Sequence, residues 1–282
     1  MRSLGSHLGP LWRALRVAEH LLTGILIGLG VRLMRRLGMR CGWLPEAVRW
    51  WHQRLCRCLA LRLETDGRHH HPALLIANHI SWLDIPTLGA LGSITFLSKH
   101  EVRGWPVIGW MSVLAGTLFI KRGAHQATSL GVQIADAIHH GRSVTLFPEG
   151  TTGDGRALLR FHPRLFAAAQ LVPAPVLQPV AIRYGSNQEP DAVAPFVDDD
   201  SLFSHLVRVL RRPGLRVQIA FLRPIDPTGQ DRRALAQAAC DAIGMRLGLQ
   251  DATPGADTAI SNIEIKARAR RVRCQLSPPL RS

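Results

Sequence analysis

Residues Ala73 to Asp84 read ALLIANHISWLD and join two different patterns. Ala73 to Asn78 form a compact apolar run that stops at a polar side chain, which is typical of a buried β-strand. The residues that follow carry His79 and Asp84 on a turn that leads into a predicted helix. A buried strand, a polar turn and a helix in succession indicate an α/β fold.

Apolar runs and helical patterns alternate on the C-terminal side of this stretch. Five more runs are strand-like: Ser93 to Lys99, Gly116 to Arg122, Ser143 to Gly150, Pro175 to Tyr184 and Leu215 to Ile225. Two segments between and after them, Ala124 to His140 and Asp231 to Leu247, have the periodicity of amphipathic helices. We therefore predict an α/β domain over residues 63–249, with a mostly parallel central sheet flanked by helices.

Residues 1–62 have a different character, apolar and basic. The most apolar stretch, Val17 to Met34, has an uncharged core from Leu21 to Val31. That core would span roughly 16 Å as a helix, against about 30 Å for a bilayer interior. Arginines flank it, and a second predicted helix, Pro45 to Leu61, places tryptophans among arginines. We predict a membrane-associating helical segment, with a soluble helical hairpin packed on the domain as the alternative.

The charge of the chain is strongly positive, with 35 Lys and Arg against 20 Asp and Glu and a net charge of +15. The surplus lies mostly in residues 1–62 and in the tail, residues 250–282, which we expect to be basic and disordered. Nucleic acid is a poor partner for this charge, because aromatic residues are sparse and no recognised DNA- or RNA-binding motif is present. We expect an anionic membrane surface instead.

Cysteine usage bears on the compartment. The chain has five cysteines, scattered and without a C-x-x-C pair. A disulfide scaffold and a zinc ribbon are both poor interpretations of that pattern, and a reducing compartment fits it best.

His79 and Asp84 form the first candidate site. Across a short turn the carboxylate can fix the imidazole tautomer, which leaves the other ring nitrogen to accept a proton. Ser81 raises the alternative of a Ser-His-Asp hydrolase, but the chain has no G-x-S-x-G elbow around it. The alternative without a catalytic role is a helix cap beside a histidine whose hydrogen bonds are satisfied.

Two more segments carry candidate binding groups. Phe147 to Gly155 reads FPEGTTGDG and places an acid and several glycines after a predicted strand, where open α/β sheets bind ligands. Lys121 and Arg122 end another strand, and Lys99 closes a third. Such cations suit a phosphate or a carboxylate. Taken alone, the Phe147 to Gly155 segment is better explained as an ordinary polar turn, and solvated strand ends are the alternative for the cations.

In this order, the motifs resemble the glycerolipid acyltransferase family, which includes 1-acylglycerol-3-phosphate O-acyltransferases. The matching blocks are N-H-x4-D at 78–84, G-x-x-F-I-x-R at 116–122, F-P-E-G-T at 147–151 and an apolar strand around Pro179. A W-P-x-x-G segment lies between the first two. The resemblance covers about residues 63–225 and implies the α/β acyltransferase fold.

The resemblance implies a mechanism with two catalytic residues. His79 would be the general base that deprotonates a lysolipid hydroxyl, and Asp84 would orient it. The hydroxyl would then attack the thioester of an acyl carrier protein or coenzyme A. Neither a metal, nor a cofactor, nor a covalent acyl-enzyme is expected.

The resemblance also implies a set of substrate-binding residues. Glu149 and Gly150 would position the acceptor and help to stabilise the oxyanion, and Thr151 belongs to the same motif. Arg122 would bind an anionic headgroup, with Lys99 as a further cation of that site.

The residue after the F-P-E-G-T motif bears on the identity of the acceptor. We expect 1-acylglycerol-3-phosphate, as in phospholipid biosynthesis. However, family members acting on it commonly have arginine directly after F-P-E-G-T, where this chain has Thr152. The alternative acceptors are lyso-ornithine lipid, whose bacterial acyltransferases this T-T-G-D-G version resembles, and other lysophospholipids.

The expected location is the cytoplasmic face of the bacterial inner membrane, with peripheral attachment or a single N-terminal anchor. A catalytically inactive membrane-bound scaffold is the alternative of another class, and the intact His79, Asp84 and Glu149 argue against it.

Overall fold

A computed structural model describes residues 5–120, 127–167, 169, 176–186, 189–197 and 200–249. Two predicted features lie outside these ranges: the cations Lys121 and Arg122 at a strand end, and the basic tail from residue 250.

The strands form one mixed sheet in the order β1-β7-β6-β2-β5-β3-β4. Their bounds are β1 (Arg62–Asp66), β2 (Leu74–Ala77), β3 (Ile94–Lys99), β4 (Leu118–Ile120), β5 (Ser143–Leu146), β6 (Leu177–Tyr184) and β7 (Arg216–Phe221). All neighbours pair in parallel except β6 and β7, which are antiparallel. The predicted mostly parallel sheet is therefore confirmed.

Seven α-helices surround this sheet in the described part of the chain. They are α1 (Gly5–Arg36), α2 (Leu44–Cys58), α3 (Asp84–Gly89), α4 (Ile108–Leu114), α5 (Ala127–His139), α6 (Leu202–Arg211) and α7 (Arg232–Leu247). The predicted helix ends hold where a capping residue marks them. For α7, the Asp231 carboxylate accepts two backbone N–H groups, and Gly248 ends the helix in the left-handed conformation.

Three elements escape the sequence prediction. Strand β1 is an edge strand whose residues are mostly exposed, so it has no apolar run to signal it. Helix α4 has only seven residues, too few for a helical period to show. Helix α6 begins at a clear cap, with the Ser201 hydroxyl accepting the backbone N–H of Ser204, and this capping serine is the local signal for it.

The core has two layers, one on each face of the sheet. Residues of α2, α3 and α6 pack on one face, and residues of α5 and α7 pack on the other. Central strands are therefore covered on both sides, which explains why every residue of β2 is apolar and buried.

The parallel strands place several loops at one edge of the sheet. Strands β3, β5 and β6 all run in the same direction as their neighbour or as β2. The turn after β2, Lys99 at the end of β3 and the loop after β5 therefore lie at the same, carboxyl-terminal edge. Open α/β sheets bind their ligands there.

Helix α1 lies against the domain along one of its faces. It contacts α2, α4 and α6, and Val17, His20 and Val31 are buried. Gly24 and Gly28 share that face: a Cβ on Gly28 would lie 2.5 Å from the Trp110 ring of α4. The Arg54 guanidinium of α2 holds Glu19 at 2.7 Å.

The opposite face of α1 is an exposed row of leucines, which we call the leucine stripe. Its members are Leu11, Leu15, Leu22, Leu26, Leu29 and Leu33, each between 53% and 61% exposed. At 3.6 residues per turn, these six positions fall within about 60° of one another. By length and composition, α1 also meets the requirements for a helix that crosses a membrane.

Candidate active site

Asn78 fixes the point where β2 gives way to the turn. Its side-chain amide donates to the backbone carbonyl of Ile182 at 3.0 Å, and the N–H of Ile182 donates back to the amide oxygen at 2.8 Å. The buried side chain thus extends the pairing of β2 with β6 by one more rung. The residue after it is His79, which is therefore held at the edge of the sheet.

His79 and Asp84 face each other across the turn. Nδ1 of the imidazole lies 2.7 Å from Oδ2 of Asp84. The same oxygen accepts the backbone N–H groups of Ile80 at 2.8 Å and Ser81 at 3.0 Å. The carboxylate is fully buried, so the turn is wrapped around it. With Nδ1–H donating to Asp84, the lone pair of the imidazole is on Nε2.

The imidazole of His79 is held but not covered. It stacks on the Phe147 ring, with the ring centroids 4.1 Å apart and the planes 19° from parallel. Its side chain stays 19% exposed. Within the residues that the structure describes, Nε2 makes no hydrogen bond. This nitrogen is therefore available to a proton-bearing group from solution.

Ser81 does not complete a hydrolase triad. Its hydroxyl is buried and has no hydrogen-bond partner in the described ranges. Since the hydroxyl makes no contact with the imidazole, the geometry excludes the Ser-His-Asp alternative.

The loop after β5 holds the backbone of His79 from both sides. One carboxylate oxygen of Glu149 accepts the N–H of His79 at 2.8 Å, and the other accepts the N–H of Leu159 at 3.1 Å. Gly153 donates its N–H to the carbonyl of His79 at 2.8 Å. Burial raises the pKa of Glu149 to about 7, and the two N–H donors oppose that rise. The predicted binding residue Glu149 thus also has a structural task.

Gly150 and its neighbours form the outer part of this loop. Gly150 has a φ of +69°, which favours glycine, and Thr151 is exposed at the sheet edge. The Thr152 hydroxyl donates to the carbonyl of Phe196, and the N–H of Phe196 donates to the carbonyl of Ile80 at 3.0 Å. Thr152 therefore ties the loop to a neighbouring segment.

Of the two cations predicted to bind the headgroup, Lys99 lies within the described residues and Arg122 does not. Lys99 ends β3 and is exposed at the edge of the sheet where His79 lies. Arg122 lies outside the described residues, and its role stays a prediction. No cluster of three or more His, Cys, Asp or Glu side chains suited to a metal occurs within the described ranges.

Tyr184 is a site residue that sequence reasoning missed. Its hydroxyl donates to Oδ1 of Asp84 at 2.7 Å, from the last position of β6. The separation of 100 positions along the chain hides this contact from any local pattern. The available signal was indirect: Tyr184 is the only tyrosine of the chain and ends a strand predicted to reach this edge.

Comparison with known proteins gives a consistent result. Residues 60–183 match the family model described as Acyltransferase. A lyso-ornithine lipid O-acyltransferase of Pseudomonas aeruginosa is 44% identical over 245 residues, which cover 83% of this chain and 93% of that protein. A 1-acyl-sn-glycerol-3-phosphate acyltransferase of Neisseria gonorrhoeae is 34% identical over 169 residues, 59% of this chain and 66% of that protein.

A solved structure supports the fold. The crystal structure of the 1-acyl-sn-glycerophosphate acyltransferase of Thermotoga maritima superimposes with a TM-score of 0.63, over 88% of this chain and 97% of that one. The sequence identity is 20%, so the likeness concerns the architecture.

Proposed function

This chain belongs to the glycerolipid acyltransferase family and is an acyltransferase, and from that premise we propose that it transfers a fatty acyl chain from an acyl thioester to the free hydroxyl of lyso-ornithine lipid. The observation that carries the proposal is the His79–Asp84 pair, buried on the aspartate side and open at Nε2.

Lyso-ornithine lipid is favoured over 1-acylglycerol-3-phosphate, the acceptor expected first from the sequence, by the extent of similarity to its enzymes. The lyso-ornithine lipid enzyme of P. aeruginosa is similar along 93% of its length, whereas the N. gonorrhoeae glycerophosphate enzyme is similar along 66%. An ornithine headgroup carries one ammonium and one carboxylate and no phosphate, so it requires fewer cations than a phosphate monoester. A headgroup that requires fewer cations is compatible with an uncharged residue at position 152, where the Thr152 hydroxyl donates a hydrogen bond to the carbonyl of Phe196.

In the proposed reaction, His79 carries one proton from the acceptor hydroxyl to the thiolate leaving group. Nε2 takes the proton of the acceptor hydroxyl while its oxygen attacks the thioester carbonyl carbon. The tetrahedral intermediate collapses, the carbon–sulfur bond breaks, and the thiolate receives the proton from the imidazolium. Asp84, held by its own turn, keeps Nδ1 as the donor and stabilises the imidazolium between the two transfers.

The remaining site residues would bind the substrates. Glu149 and Gly150 would position the acceptor and help to stabilise the oxyanion, with Thr151 as a further binding residue. Glu149 would also hold that loop against His79. Lys99 and Arg122 would bind the anionic part of the headgroup. The acyl donor is an acyl carrier protein or coenzyme A thioester, and no step of this mechanism requires a metal or a cofactor.

Membrane association follows from the leucine stripe and its surroundings. Because the opposite face of α1 is packed on the domain, the helix would lie in the interface with its leucines in the lipid, and it would not cross the bilayer. Trp12, Trp43 and Trp50 are exposed nearby in sequence, as is typical of residues at a membrane boundary. We propose the anionic cytoplasmic face of the inner membrane, with residues 1–62 as the attachment segment, 63–249 as the catalytic domain and 250–282 as a basic tail.

An acceptor competition tests the proposed function. The purified full chain is given a labelled acyl thioester and, separately, lyso-ornithine lipid, lysophosphatidate or lysophosphatidylglycerol in mixed micelles. We expect the highest kcat/KM with lyso-ornithine lipid. A higher kcat/KM with lysophosphatidate would overturn the acceptor, and no transfer to any of the three would favour the inactive scaffold.

A further inference from the structure

We propose that Tyr184 is a positioning residue of the acyltransferase site, which holds the Asp84 carboxylate in the orientation that His79 requires. The inference rests on the proposed function for its kinetic consequence and on the geometry alone for the contact. Tyr184 comes from β6, the strand that pairs with β2, whereas His79 and Asp84 lie within one turn.

The hydrogen bonds of Asp84 divide unevenly between its two oxygens. Oδ2 accepts three donors, all from its own turn: Nδ1 of His79 and the N–H groups of Ile80 and Ser81. For Oδ1 the partner is the hydroxyl of Tyr184 at 2.7 Å. Since β6 supplies that donor, the strand pairing of β2 with β6 sets where Oδ1 is held.

A buried carboxylate depends on such a donor. Asp84 is fully buried, so an oxygen without a partner there loses its hydration with no compensation. Without the phenol, rotation about the Cβ–Cγ bond would let Oδ1 compete for the donors of the turn. The bond to Nδ1 of His79 would then lose its fixed direction.

Tyr184 is itself well suited to a fixed position. It is 2% exposed and packs in the core on the face that α2, α3 and α6 cover. Burial and the neighbouring Asp84 raise the pKa of Tyr184 well above its usual value, so the phenol stays protonated. It therefore remains a hydrogen-bond donor to Asp84 at neutral pH.

The position of Tyr184 also separates its effect from substrate binding. A buried ring that reaches His79 only through Asp84 does not touch the acceptor or the thioester. Its loss should reduce the rate of the chemical step and leave the binding of both substrates unchanged.

A double-mutant cycle tests the proposal. Tyr184→Phe keeps the ring and removes the hydroxyl. We expect it to lower kcat roughly 10- to 100-fold, as for a lost hydrogen bond to a charged group, with KM changed less than about twofold. Asp84→Asn alone should lower kcat further, and the double variant should equal Asp84→Asn, because Tyr184 acts through that carboxylate.

The matched control is Ser143→Ala, which also removes a buried hydroxyl from the sheet. Ser143 bonds to His69, His71 and the N–H of Ala73 at the start of β5, at the opposite edge from His79. We expect its kcat to equal that of the wild type. The proposal would be overturned if the losses in kcat were additive in the Tyr184→Phe/Asp84→Asn double variant. It would also be overturned if Tyr184→Phe raised KM and left kcat unchanged.

A spectroscopic signature makes the contact testable without activity. Because the chain has one tyrosine, growth on 3-fluorotyrosine labels position 184 alone and gives one ¹⁹F resonance. We expect that resonance to shift in Asp84→Asn and to stay unchanged in Ser143→Ala. No shift in a folded Asp84→Asn protein would overturn the inference, whereas a shift without acyl transfer by the wild type would overturn the proposed function and leave the contact standing.

Discussion

The leucine stripe of α1 differs from the turn that carries His79 and Asp84 in whether its side chains have partners within the protein. In the turn, one buried carboxylate accepts four hydrogen bonds from within the protein. Along the stripe, six leucines are left more than half exposed. The carboxylate of the turn therefore has its partners within the protein, whereas under the proposed membrane attachment the leucines would find theirs in the lipid.

This difference shows which interactions tolerate change. Hydrogen bonds in the turn depend on distance and direction, so a single atom removed there affects the chemistry. The stripe acts through apolar area, which is additive and without direction. We therefore expect substitutions in the turn to abolish catalysis in a bound protein, and substitutions in the stripe to release a competent enzyme.

The largest effect is expected for His79→Ala. Loss of the base should lower kcat about 1000-fold or more, in line with general base catalysis, while vesicle binding stays unchanged. The measurement is acyl transfer with saturating substrates, together with vesicle sedimentation. His140→Ala, an exposed histidine at the end of α5, is the control and should retain full activity. An equal rate in both variants would rule out the mechanism.

The next effect concerns Glu149 and stability. Its pKa is about 7 in the folded chain against 4.5 for the free side chain. The folded state therefore binds the proton more tightly, and this contribution to stability is full below pH 4.5 and is lost as the pH rises through about 7. The difference corresponds to about 3 kcal/mol.

Glu149→Gln removes that titration. Urea unfolding of the full chain between pH 4.5 and 8 should show the wild type losing stability relative to the variant as the pH rises. Parallel stability curves for the two proteins would show that the carboxyl does not titrate in this range.

A smaller effect is expected when charges are placed on the stripe. Leu22→Glu with Leu29→Glu removes two leucines from the lipid, each worth at least about 1.5 kcal/mol, so binding to anionic vesicles should weaken about 100-fold. The control places the same charges at exposed apolar positions of α5 and α7, as Val132→Glu with Met245→Glu. If both pairs weaken binding equally, net charge and not the stripe holds the protein on the membrane.

The smallest effect is expected for a substitution that disturbs the packing of α1 against the domain. A methyl group on Gly28 would lie 2.5 Å from the Trp110 ring, whereas one on Gly30 meets no atom within 4 Å. Gly28→Ala should destabilise the full chain by about 1 to 3 kcal/mol. Gly30→Ala should be neutral or stabilising, because alanine favours the helix. Thermal unfolding checks both, and equal midpoints would show that α1 is not packed there.

Local signals in the sequence predicted the central strands and the His79–Asp84 pair. Strand β2 is apolar throughout, and β3, β6 and β7 carry apolar residues at most of their buried positions and β5 at half of its own, because at least half of each strand is buried. His79 and Asp84 are five residues apart on one turn, so their contact depends on few backbone angles. The exposed edge strand β1 and the short helix α4 lacked such signals.

The sequence by itself therefore determined the fold class, the family and the pairing of His79 with Asp84. Only the tertiary structure decided that Tyr184 completes the shell of Asp84, that Glu149 and Gly153 hold the backbone of His79, and that Thr152 is bonded to Phe196. The physical reason is separation along the chain. Contacts within a turn follow from local geometry, whereas these contacts exist only once the sheet has placed β2, β5 and β6 side by side.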